Sequence, residues 1–119
     1  PKWELYGRET FAMEGDPSIP VIVDTWMKGL RDFDMDAAYE AMRKSATTPG
    51  ARNRMRPDID PYIEKGYVPL GFYARDLSGD NSVSHALEYY IADHALSLLA
   101  DSLGKKRRRG VVPRPLARL

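Results

Sequence analysis

The chain has 119 residues, 43% of them apolar and 29% charged, which is enough for one small domain with a core and too little for more. It contains no cysteine, which excludes a disulfide framework and a thiolate metal site, and no run near the ~20 apolar residues that span a bilayer. The net charge of +1 conceals two unlike parts: seven of the 18 Lys and Arg lie in residues 105–119, which hold no acid, leaving 11 against all 17 acids in residues 1–104. An acidic body argues against a broad nucleic-acid footprint, whereas the tail alone would bind polyanions.

The sequence opens at Pro1 with no Met and no signal-like apolar stretch, so it reads as starting in mid-sequence. The first stretch, "PKWELYGRETFAMEGDPS", mixes Trp3, Tyr6, Phe11 and Met13 with glycines and prolines and has neither a helical nor a strand period; it reads as a structured loop. Next, Ile19, Ile22, Val23, Trp26, Met27 and Leu30 recur at spacings of three and four, which predicts a helix over 18–31 that ends near Gly29 to Arg31. Asp34 is placed to cap a second helix over 35–46, with Met35, Ala38, Tyr39 and Met42 on one stripe and Arg43 and Lys44 in the last turn. A short turn between two helices makes an antiparallel hairpin.

From Thr47 to Asn81 the chain is rich in Pro, Gly, Asp and Arg, with one short helical turn predicted in "PDIDPYIEKG" and a loop through "YVPLGFYARDLSGDN". A third long helix is predicted over 82–103, with Val83, Leu87, Tyr90, Ile91, His94, Leu98 and Leu99 as its buried face, Glu88 and Asp93 flanking that face, and Gly104 as its stop. No strand pattern and no internal repeat stand out. The fold class is all-α, built from helical hairpins with long loops.

Three phrases, "PKWELYGRETFAMEGDPSIPVIVDTWMKGLRDFDMDAAYEAMRKSA", "YIEKGYVPL" and "SVSHALEYYIADHALSLLADSLGK", stand in an order and spacing that resemble the catalytic domain of glycoside hydrolase family 92, the calcium-dependent exo-acting α-mannosidases. The resemblance covers nearly all of residues 1–106. It implies that residues 1–104 are a fragment of a partial (α/α)6 barrel, that the parent enzyme removes terminal α-linked mannose from glycans by inverting hydrolysis, and that it works in the periplasm or outside the cell. Where the family continues past "LGK" in acidic and polar helix, this chain turns rich in Arg and Pro. A shift of reading frame in a GC-rich gene has that effect, so residues 105–119 are expected to be an unstructured or frame-shifted basic tail.

Inverting hydrolysis needs one carboxylic acid and one carboxylate about 6.5–9.5 Å apart. The resemblance places the general acid in a Glu-Gly-Asn motif and the base in a later acidic, Gly-rich motif, both beyond the point where it ends, together with most calcium ligands. Neither motif occurs here, so no catalytic residue and no bound metal are expected, and the chain by itself is expected to be inactive. What remains is pocket wall. Arg8, Glu9 and Asp16 in "GRETFAMEGD" and Glu88 and Asp93 in "LEYYIAD" are the candidate substrate-binding residues, because guanidinium and carboxylate groups form charge-assisted hydrogen bonds to sugar hydroxyls.

Each candidate has a structural alternative. Asp16 is placed to cap the first helix, and Glu88 and Asp93 are placed to bond a neighbouring helix. Trp3, Tyr6 and Trp26 have the shape to stack on sugar faces, although Trp26 on an apolar stripe reads as core. His85 and His94 share no metal-binding motif, and His94 is expected to be buried. Two other readings compete: a non-catalytic helical interaction module whose uncovered apolar faces self-associate, and a nucleic-acid binder resting on "KKRRR", a short run without interleaved aromatics. The favoured partner is a mannose-containing glycan, with neither nucleic acid nor membrane.

Overall fold

The computed structural model describes residues 15–50, 53–71 and 81–105, together with the backbone of residues 4–5 and 8–9. Among the described residues four helices make up the fold: α1 (Ser18–Met27), α2 (Met35–Thr47), α3 (Ile59–Lys65) and α4 (Ser82–Ser102). Two strands of two residues each, β1 (Glu4–Leu5) and β2 (Arg8–Glu9), form a minimal antiparallel ladder in the stretch read as a loop. The class is all-α. The tail beyond Lys105 lies outside the described residues, as do Trp3 and Tyr6 and the side chains of Arg8 and Glu9.

Local chemistry sets the helix limits. Pro20 falls in the first turn of α1, where its missing amide hydrogen has no partner to lose. The helix ends four residues short of the limit its pattern predicts, because Gly29 adopts φ +86° just beyond the cap and turns the chain away from the helical path. Asp34 caps α2 as expected, its Oδ1 accepting from the Ala37 amide at 2.9 Å. Gly66, at φ +80°, closes α3, its N–H donating to the Tyr62 carbonyl.

Two apolar cores lie along α4. Ile19 and Val23 of α1, Met35, Met42 and Ala46 of α2, and Ala92, Leu96 and Leu99 of α4 form one. Ile59 and Tyr62 of α3, Val68, and Ala86 and Tyr89 of α4 form the other. Both α1 and α2 pack on α4, α1 more extensively, and a cleft of about 230 Å³ lies between them, lined by Ile19, Ile22, Ala38 and Met42. Trp26 is half-buried beside that first core, with Phe33 edge-on at 6.3 Å and the Arg31 guanidinium 4.5 Å above its ring.

The buried face of α4 is the reverse of the predicted one. Val83, Leu87, Ile91, His94 and Leu98 all point outward, Leu87 at 55% and Ile91 at 56% exposure, and of the expected stripe only Leu99 is fully inside. The inward side carries Ala86, Tyr89, Ala92, Leu96 and Ala100, with His85 and Asp93 among them. Small alanines let neighbouring chain come close, and the polar side chains on that side all find partners. The hydrophobic pattern favours the large aliphatic side of this helix, and packing against its neighbours selects the alanine side instead.

This corrected face has a direct test. Leu99→Ala should destabilise the chain by about 2–5 kcal/mol, as expected for truncating a buried leucine, while Leu87→Ala should stay within about 0.5 kcal/mol, as surface changes do. Urea unfolding of the two variants decides it, and a larger loss at position 87 would return the core to the predicted stripe.

Candidate functional site

Between the two cores sits a cluster of buried charge. Arg56 is fully buried, and its Nη1 donates to Asp93 Oδ1 at 2.7 Å. Its Nε faces Asp16 Oδ2 at 3.5 Å, an ion pair too long for a strong hydrogen bond. Its Cζ lies 4.8 Å from the centre of the Tyr89 ring. Tyr62 donates to the second oxygen of Asp93 at 2.9 Å. Below α3, Asp58 accepts from Tyr89 at 2.5 Å, with His85 Nδ1 against its other oxygen at 2.8 Å.

The backbone brings these groups together by a second set of bonds. Asn53 donates to the carbonyls of Ser45 and Thr48 at the end of α2, and its Oδ1 accepts from the Arg56 amide at 3.1 Å, so the turn that carries Arg56 is tied to α2 before it reaches α4. Asp16 accepts from Ser18 at 2.8 Å and from Ser45. It caps no helix: Pro17 occupies the cap of α1 and makes no side-chain bond there.

The cluster sets three carboxyl groups, one guanidinium and one imidazole against one another. Burial opposes ionisation of Asp58, but hydrogen bonds from His85 and Tyr89 outweigh it and hold the carboxyl below its usual range. Burial pushes Asp93 upward, and Arg56 and Tyr62 offset only part of that push. Burial, followed by the neighbouring carboxylates, also drives both phenols far above their ordinary value, so Tyr62 and Tyr89 act only as donors. Arg56 Nε and Nη2 have no hydrogen-bond acceptor among the described residues.

The five candidate residues therefore end in different places. Asp16 and Asp93, at 1% and 2% exposure, are joined through Arg56 inside the fold. Glu88 stands apart, half-buried on α4 beside the Gly15 backbone. Arg8 and Glu9 are placed only as backbone of β2. His94, expected inside, is exposed. Arg56, Asp58, Tyr62, His85 and Tyr89 were not singled out as a unit by sequence, where Arg56 is one arginine among Arg52, Arg54 and Arg56 in a polar connection.

This donor set does not fit calcium, which takes six to eight oxygens. The oxygens of Asp16, Asp58 and Asp93 are already taken up by side-chain partners, and among the described residues no group of three His, Asp or Glu side chains is arranged to hold a metal ion. Nor is any helix among them long and apolar enough to cross a membrane.

Helices docked through a buried charged cluster define an all-α segment. The family model described as the glycosyl hydrolase family 92 catalytic domain matches residues 1–110, and the chain belongs to that family. Comparison with curated proteins and with solved structures gives no match.

Two outcomes test the cluster. Arg56→Met leaves buried carboxylates without their cation and should cost about 3–5 kcal/mol in urea unfolding, against a change within about 0.5 kcal/mol for Glu88→Gln at the rim. Because the folded value of Asp58 is depressed, its contribution is complete above the ordinary carboxylate pKa of about 4 and fades as pH falls through the folded value. The Tm difference between wild type and Asp58→Asn should therefore shrink as the pH is taken from 6 to about 3.

Proposed function

We propose that the chain is a fragment of an exo-acting α-mannosidase of family 92, in which it forms part of the wall and rim of the pocket that takes a terminal α-linked mannose. The observation that carries this reading is the match of residues 1–110 to the catalytic domain of the family, taken with the arrangement of the carboxylates. Asp16 and Asp93 turn inward and hold Arg56 and the helices in place. In this reading Glu88, Arg8 and Glu9 are the side chains offered to sugar hydroxyls.

Hydrolysis with inversion needs an acid and a base on opposite faces of the sugar with a water between them. Asp16, Asp58 and Asp93 are each committed to protein donors, which removes them from that work. In this reading the acid, the base and the calcium site belong to other parts of the catalytic domain, which close the (α/α)6 barrel. A barrel that does not close leaves the reacting groups unplaced and open to water.

The exposed side of α4 favours a second reading, a helical interaction module that self-associates through Val83, Leu87, Ile91 and Leu98. Sedimentation at increasing concentration separates the two, since burial of an apolar face gives association that survives high salt.

The activity test uses the purified chain with calcium and an α-mannobioside. No mannose should be released above the blank, and calcium should leave the Tm where EDTA leaves it. Turnover that disappears in Glu88→Gln would place the catalytic acid on α4 and overturn the assignment of Glu88 to binding.

A further inference from the structure

Among the described residues, the chain entering α1 meets Glu88 of α4 at a glycine. Gly15 is buried with φ +73°, a left-handed conformation that disfavours any residue with a Cβ. A Cβ at this position would lie 2.5 Å from Glu88 Cβ, 2.9 Å from its Cγ and 3.1 Å from its Oε2. The first two of these are closer than packed carbon atoms approach one another. The backbone of Gly15 is therefore pressed along the whole Glu88 side chain, from its root to its carboxylate.

The loop has little freedom to back away. Its next residue, Asp16, is anchored inside by Ser18, Ser45 and Arg56, and Arg56 is in turn bonded to Asp93, five residues beyond Glu88 on the same helix. The chain from Gly15 through Asp16 and Arg56 to Asp93 closes a ring on α4 with Glu88 inside it. We propose that Gly15 is a positioning residue: its bare backbone fixes the rotamer of Glu88 and so aims that carboxylate at the hydroxyl groups of a bound glycan. The glycan half of this inference rests on the proposed function. The rotamer half stands on the contact itself.

Gly104 supplies the control, since it has φ +65° and nothing within 4 Å of a Cβ, so that alanine there meets backbone strain without a steric partner. Side-chain couplings of Glu88 in the labelled chain, read by NMR, should report one rotamer in wild type and in Gly104→Ala, and averaging or a new rotamer in Gly15→Ala. Identical couplings in all three would overturn the inference.

Should Gly15→Ala fail to fold, a thermodynamic cycle gives the same answer. In a Glu88→Gly background, where the contacting atoms are gone, the Tm loss caused by Gly15→Ala should fall to that of Gly104→Ala. An undiminished loss would show that Glu88 is not what Gly15 accommodates. Titration with methyl α-mannoside decides the other half: Glu88 signals of wild type should move on binding, and the affinity of Gly15→Ala should drop about tenfold or more, the ~1.4 kcal/mol scale of a misplaced hydrogen bond. If the wild-type signals stay still while the couplings behave as expected, the glycan reading fails and the positioning of Glu88 by Gly15 stands.

Discussion

The fold depends on one fully buried guanidinium. Arg56 reaches Asp93 on α4 and Asp16 at the entrance to α1, while its own turn is tied through Asn53 to the end of α2. Three parts of the chain far apart in sequence thus meet at a single side chain. A buried arginine is costly to desolvate, and the attraction of the surrounding carboxylates offsets that cost only while all of them stay in place. The arrangement therefore acts as a test of assembly. Its contacts exist together only when α1, α2 and α4 are all docked.

Around that point the packing is unevenly shared. The first core gathers aliphatic and methionine side chains from three helices, and the second is built around Tyr62 and Tyr89, whose rings meet edge-on at 5.2 Å and whose hydroxyls point back into the charged cluster. The tyrosines serve both materials, apolar by their rings and donors by their hydroxyls. Tyr90 adds a bond to the Gly66 carbonyl, which fastens the end of α3 to α4. At the far end of α4, Lys105 bonds Asp36 at 2.9 Å and lies over the Tyr39 ring, joining the last described residue to the start of α2.

This internal use of charge shapes what the segment has to offer a ligand. Of the acids considered as ligand groups, those with the most neighbours are the ones least available, because each neighbour occupies a lone pair that a sugar hydroxyl would need. Glu88 stands outside the cluster, against the Gly15 backbone. On the other side of the same helix a row of aliphatic side chains faces solvent. One helix thus presents a polar seam inward, a carboxylate at its rim and an apolar surface outward.

By itself the sequence determined the helices, the cap of α2 and the family. The spacing of Ile19, Val23, Met35 and Met42 marks α1 and α2, Asp34 and the glycines mark their ends, and three phrases in order identify glycosyl hydrolase family 92, because all of these are local signals or patterns of residue identity. Which side of α4 faces inward was decided only by the tertiary structure. Leucine, isoleucine and valine on one side outweigh alanine on the other in any reading of hydrophobicity, yet the alanine side is buried, since close approach and satisfied polar groups are properties of the neighbours and not of the helix. The same holds for Arg56 and Asp58, which in sequence are ordinary charges in a polar connection. Their partners lie 37 and 27 residues away, and no pattern within the connection marks which of its arginines the fold will close upon.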